Sequence, residues 1–171
     1  MATKTLNGGI SAGSLTVLEI PMVSDGSSDL EDSGLRRVRV SVSAAEVAAL
    51  RATPKEIVAA PGAGYIVVPI EGSVILDYTA PGYTESSDNL VLKYNDGSGT
   101  ACSEVVECTG FIDQTADTIT NIFGKKDIIV AAASMANKKV VLHNNGDGEF
   151  GGSGGSSLTV DLTYRVIATG L

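Results

Sequence analysis

Residues 158–166, Leu-Thr-Val-Asp-Leu-Thr-Tyr-Arg-Val, alternate apolar and polar side chains without a break. Successive side chains of an extended chain point to opposite faces, so this period of two predicts a strand buried on one side. Leu158, Val160, Leu162, Tyr164 and Val166 are expected to face a core, and Thr159, Asp161, Thr163 and Arg165 to face out. The same alternation appears at the other end of the chain, where Val38, Val40 and Val42 interleave with Arg37, Arg39 and Ser41. Two such strands must bury their apolar faces against something, and the rest of the sequence supplies more of the same kind.

Tyr65-Ile66-Val67-Val68 is apolar on both faces, as in a strand inside a sandwich. Pro69 and Gly72 then interrupt before Val74-Ile75-Leu76-Asp77-Tyr78, which predicts a bend or bulge between two strands, or one long kinked strand. Further strands are expected at Leu90–Tyr94, Glu104–Cys108, Asp127–Ala132 and Lys138–His143. Residues 113–123 are ambiguous: Asp113 suits a helix cap, while Thr115, Thr118 and Thr120 favour β structure. Lys55–Ala60 leads into the turn Pro61-Gly62-Ala63-Gly64. One helix is expected near 44–52, because Ser43 and Glu46 form a capping box ahead of Ala44–Arg51 and Pro54 follows. Eight or nine short strands with one small helix predict an all-β fold, an antiparallel β-sandwich of jelly-roll form.

Two regions are expected. Residues 1–34 form an extended N-terminal arm, and residues 35–171 form the β-sandwich domain. The arm holds one apolar run, Leu15 to Val23, between a Gly-Ser stretch and an acidic turn-rich stretch. At about 3.3 Å per residue, its extended length reaches roughly 100 Å.

Charge and composition exclude several functions. The 171-residue chain carries 12 Lys+Arg against 20 Asp+Glu, a net charge of −8, and its one basic cluster is Arg36, Arg37 and Arg39. Nucleic-acid affinity rests on cations that neutralise phosphates, so no nucleic-acid partner is expected. No apolar stretch approaches the roughly 20 residues of a membrane helix, and no membrane partner is expected. Cys102 and Cys108 would stand about 20 Å apart on one extended strand, too far to bond. Free structural thiols and a reducing cytoplasm are expected.

No catalytic, metal or cofactor-binding residue is expected. His143 is the single histidine, and no nucleophile or orienting acid accompanies it in a triad pattern. It is expected as a surface or interface residue. Asn95–Gly99 and Asn144–Glu149 read as hairpin turns and lack the ligand spacing of an EF-hand. Gly151–Ser157 lacks the lysine and following helix of a phosphate-binding loop. Tyr65, Tyr78, Tyr83 and Tyr94 leave open a carbohydrate-binding aromatic surface.

Val58-Ala59-Ala60-Pro61-Gly62-Ala63-Gly64-Tyr65-Ile66-Val67-Val68, then Ile75-Leu76-Asp77-Tyr78, Asn89-Leu90-Val91-Leu92-Lys93-Tyr94 and Gly110-Phe111-Ile112-Asp113, resemble small virion proteins of tailed bacteriophages. The resemblance spans about residues 55–135 and is to capsid decoration (cement) or head-associated structural proteins. It implies a non-enzymatic protein made in the host cytoplasm and carried on the capsid surface, with the major capsid protein as partner. It also implies a homo-oligomer, a trimer ahead of a dimer. The expected partner contacts are Leu15, Val17 and Ile20 of the arm together with Arg36, Arg37 and Arg39. The alternatives are another virion part (head-fibre base, neck or tail) and a carbohydrate- or receptor-binding module.

Overall fold

A computed structural model describes residues 34–152 and 154–170 of the chain. The proposed arm, with Leu15, Val17 and Ile20, lies outside the described residues apart from Gly34. Seven strands are described: β1 (Leu35–Val42), β2 (Lys55–Val58), β3 (Tyr65–Asp77), β4 (Leu90–Tyr94), β5 (Thr118–Phe123), β6 (Val140–Asn144) and β7 (Ser157–Ala168). They form two antiparallel sheets, one ordered β1-β7-β3-β5 and the other β2-β6-β4. Odd-numbered strands build the first and even-numbered strands the second, so each successive strand crosses to the other sheet. The fold is all-β.

The two alternating segments that dominate the sequence are direct neighbours. β1 pairs with β7 from Leu35↔Arg165 to Val42↔Leu158, and β7 also pairs with β3 along its length. Val42, Leu158 and Leu76 thus form one buried row across three strands, with Val40, Val160 and Val74 as the next. Leu92, Tyr94, Val140 and Leu142 of the other sheet join the same apolar cluster. Tyr94 reaches across to donate its hydroxyl to the Val67 carbonyl at 2.6 Å. Val38, Val40 and Tyr164 are only partly buried against this core, whereas Val42, Val67, Leu76, Leu92, Leu158, Val160 and Leu162 are inside it.

The interruption at Pro69 is a bulge within one long strand. Pro69 pairs with Tyr164 and Glu71 with Thr163, leaving Ile70 as the extra residue. One inserted residue inverts the alternation, so Val67 faces inward before the bulge and Val74 and Leu76 after it. Gly72 stands just beyond, where a Cβ would collide with the Asp161 carbonyl of β7.

Several boundaries differ from expectation. The helix covers only Ala44–Val47, within the expected 44–52. Glu46 accepts hydrogen bonds from the Ser43 N–H and hydroxyl, both at 2.9 Å. Beyond Val47 the helix unwinds, because Glu149 accepts the N–H groups of Arg51 and Ala52 at 2.9 and 2.7 Å. Lys55–Val58 is a strand, and the ambiguous 113–123 stretch resolves into β5 from Thr118. Glu104–Cys108 is no regular strand: Ala101, Ser103 and Val106 make only isolated bridges, to Lys93, Gly124 and Leu90. Asp127–Ala132 is not a strand either, and runs into a 3-10 turn at Ala132–Ser134. Ile128 packs on the core, while Ile129 beside it is 96% exposed. Its β-branched residues have no ladder partner among the described residues, and propensity alone does not hold a strand.

Candidate interaction surface

The outer face of the four-stranded sheet brings together side chains far apart in sequence. Because opposed residues share a face, the pairings define rows across it. One row is Arg37, Thr163, Glu71 and Phe123; the next is Arg39, Asp161, Ser73 and Asn121; the third is Ser41, Thr159, Ile75 and Ile119. The face is basic along β1 and apolar along β5. Ile119 is 63% exposed and Phe123 51%. These residues line an open depression of about 500 Å³. No covering layer lies over these two apolar residues among the described residues.

Asp161 organises the basic side. Arg37 binds it through both Nε and Nη2, and Arg39 Nη1 lies 3.8 Å from the same carboxylate. Asp161 was expected to face out and does so, yet it is only 9% exposed because the arginines cover it. Its carboxyl is held below the usual range by the Arg37 hydrogen bonds first and then by the charges of Arg37 and Arg39, against an opposing effect of burial. The planar guanidinium of Arg37 is thereby fixed rather than free to sweep the surface.

Of the expected contacts, Arg37 and Arg39 share this face. Arg36 does not: it pairs with Tyr164 and belongs to the opposite face of the sheet, at its exposed end. Leu15, Val17 and Ile20 lie outside the described residues. Ile75, Ile119 and Phe123 were not anticipated. The spacing Ile119-Asn121-Phe123 carried a period-two signal, masked by the threonines that made 113–123 ambiguous.

Other sequence features resolve into structural roles. His143 is a correction: far from being a surface residue, it is 6% exposed, on the outer side of β6. Tyr83 and Tyr94 are core residues, and Tyr83 donates its hydroxyl to the Ser156 carbonyl at 2.7 Å, which leaves them unavailable as a sugar platform. Both acidic loops engage their own oxygens in turns. Asp96 accepts from the Ser98 N–H at 2.9 Å and hydroxyl at 2.6 Å, and Asn144 accepts from the Gly146 N–H at 2.8 Å. Among the described residues, no group of three His, Cys, Asp or Glu side chains gathers to hold a metal ion. No helix among them is long and apolar enough to cross a membrane.

Cys102 and Cys108 are both free and buried, and burial pushes each thiol up to about 12. The thiolate is the reactive form, so both are inert near neutrality. A thiol-exchange reagent at pH 8 is expected to label neither in the native protein and both in denaturant. Rapid native labelling of either would contradict their placement in the core.

No family model, no characterised protein and no solved structure matches this chain.

Proposed function

We propose that this chain is a virion structural protein that decorates and cements a shell of major capsid protein, seated on it through the outer face of the four-stranded sheet. The observation that carries the reading is the composition of that face. Fixed arginines and exposed Ile119 and Phe123 stand side by side on a rigid sheet, the mixture of aromatic anchor and arginine that protein interfaces favour. Exposed apolar patches rimmed by polar groups mark interaction sites. The two sheets are read here as the halves of a jelly-roll-like sandwich, a stiff block suited to bridging neighbouring capsid subunits. The protein acts without catalysis, as a homo-oligomer with a trimer ahead of a dimer, and is made in the host cytoplasm before joining the capsid surface.

The copy number in purified particles tests this. Hundreds of copies fit a shell protein, since symmetric shells repeat every contact. A dozen or fewer would move the protein to a neck, tail or fibre base, and absence from particles would remove it from the virion.

Residues 1–30 have a separate expected role as a tether. They carry Lys4 against Glu19, Asp25 and Asp29, with Glu31 and Asp32 just beyond, a charge balance suited to a basic groove on a partner. Deleting 1–30 is expected to leave the melting temperature within a few degrees while shell attachment falls sharply. Unfolding of the truncated protein would make the segment part of the domain, and full occupancy on shells would remove its role as tether.

A further inference from the structure

A second depression, of about 610 Å³, opens on the outer side of the three-stranded sheet, bordered by residues 51–54, 96–98 and 145–146. Arg51, Lys93 and His143 line it. Three basic side chains meeting in one hollow of a chain with net charge −8 require explanation. The ion pairs among the described residues involve Arg37, Arg39, Lys55 and Lys139, so neither Arg51 nor Lys93 has a paired carboxylate there.

The two nearby acids are engaged elsewhere. Asp96 takes the Ser98 N–H and hydroxyl and the Asn95 amide, and Glu149 takes the N–H groups of Arg51 and Ala52. Lys93 Nζ donates once, to the Gly97 carbonyl at 2.7 Å, and an ammonium has three protons to give. His143 Nδ1 is buried and makes no hydrogen bond, an arrangement that costs on the order of 1–3 kcal/mol. The basic groups also oppose one another. Burial, then Lys93 and Arg51, hold the imidazole below its ordinary pKa, with Glu149 acting in the other direction. Burial and then Arg51 hold Lys93 down, against Asp96.

Gly97 brings the covering loop close. A Cβ there would stand 2.6 Å from His143 Nε2, so only glycine lets the loop lie on the imidazole. The walls are thus built around the ring, with cationic donors left over.

We propose that this depression binds an oxyanion, the phosphate or carboxylate group of a ligand, between the side chains of Arg51 and Lys93 and beside His143. Guanidinium and ammonium donors suit that chemistry, Arg51 as a planar fork and Lys93 as a point charge. The site is separate from the face of the four-stranded sheet and does not depend on it.

His143 is the only histidine, so its ring protons form an unambiguous magnetic-resonance reporter. Inorganic phosphate and, separately, acetate are titrated into the full chain at constant ionic strength. A saturable shift of the His143 signals is expected, with a dissociation constant on the order of millimolar, together with a rise in the imidazole pKa. Saturation by phosphate alone assigns a phosphate group, by acetate alone a carboxylate, and by both a general oxyanion site. Arg51→Gln and Lys93→Gln should each weaken binding by about tenfold. Arg51 is exposed, so its variant keeps the test valid even where Lys93→Gln perturbs folding. Absence of saturation with either anion, or unchanged binding in a folded Arg51→Gln protein, overturns the proposal.

Discussion

Replacing Leu158 by alanine is expected to lower unfolding stability by about 2–5 kcal/mol, a large share of the roughly 5–15 kcal/mol typical of a domain. Leu158 is fully buried and stands between Val42 of β1 and Leu76 of β3, both also fully buried. The interior strand β7 is held on both sides by these ladders, so the surrounding backbone has little freedom to collapse into the space left behind. For a chain of this size the melting temperature should fall by roughly 4–20 °C. Thr159→Ala, one residue along and on the outer face, should stay within about 0.5 kcal/mol. Urea denaturation of the three proteins checks both figures. A Leu158→Ala cost below that of Thr159→Ala would mean that the core is not where the alternation places it.

The parts of the fold legible in the sequence are those where a local signal and the tertiary requirement agree. The strict alternation of 158–166 and 38–42 identified two strands and their inward faces, because burying one side of a sheet imposes the period directly. Ser43 and Glu46 likewise announced the helix start, since the capping bonds are local. The helix end was not legible, because Glu149, which takes the Arg51 and Ala52 N–H groups, lies 98 and 97 residues away. Asp127–Ala132 misled for the opposite reason: Ile128, Ile129 and Val130 have strand propensity, yet no neighbouring strand offers them a ladder.

The candidate surface was half legible. Arg37 and Arg39 could be placed on one face from spacing alone, but Arg36 was grouped with them by sequence proximity and falls on the other side of the sheet. Their neighbours Ile75, Ile119 and Phe123 come from β3 and β5, and only the register of β7 between them reveals that they share a surface. His143 was misjudged as a surface residue because its burial comes from residues 51–54 and 96–98 folding over β6, which no period in the strand itself can report.

The central claim is that the outer face of the four-stranded sheet is the seat on the shell. An exposed aromatic that anchors an interface contributes about 2 kcal/mol or more, and a neighbouring aliphatic adds to it. The double change Phe123→Ser and Ile119→Ser touches no core residue, since both side chains point to solvent from an edge strand. It should leave the melting temperature nearly unchanged and weaken shell binding by at least about thirtyfold. The direct measurement is co-sedimentation of wild-type and doubly substituted protein with shells of the capsid protein, across a concentration series. The wild type is expected to saturate the shells while the folded variant remains in the supernatant at the same concentrations; equal saturation by both proteins would show that this face is not the docking surface.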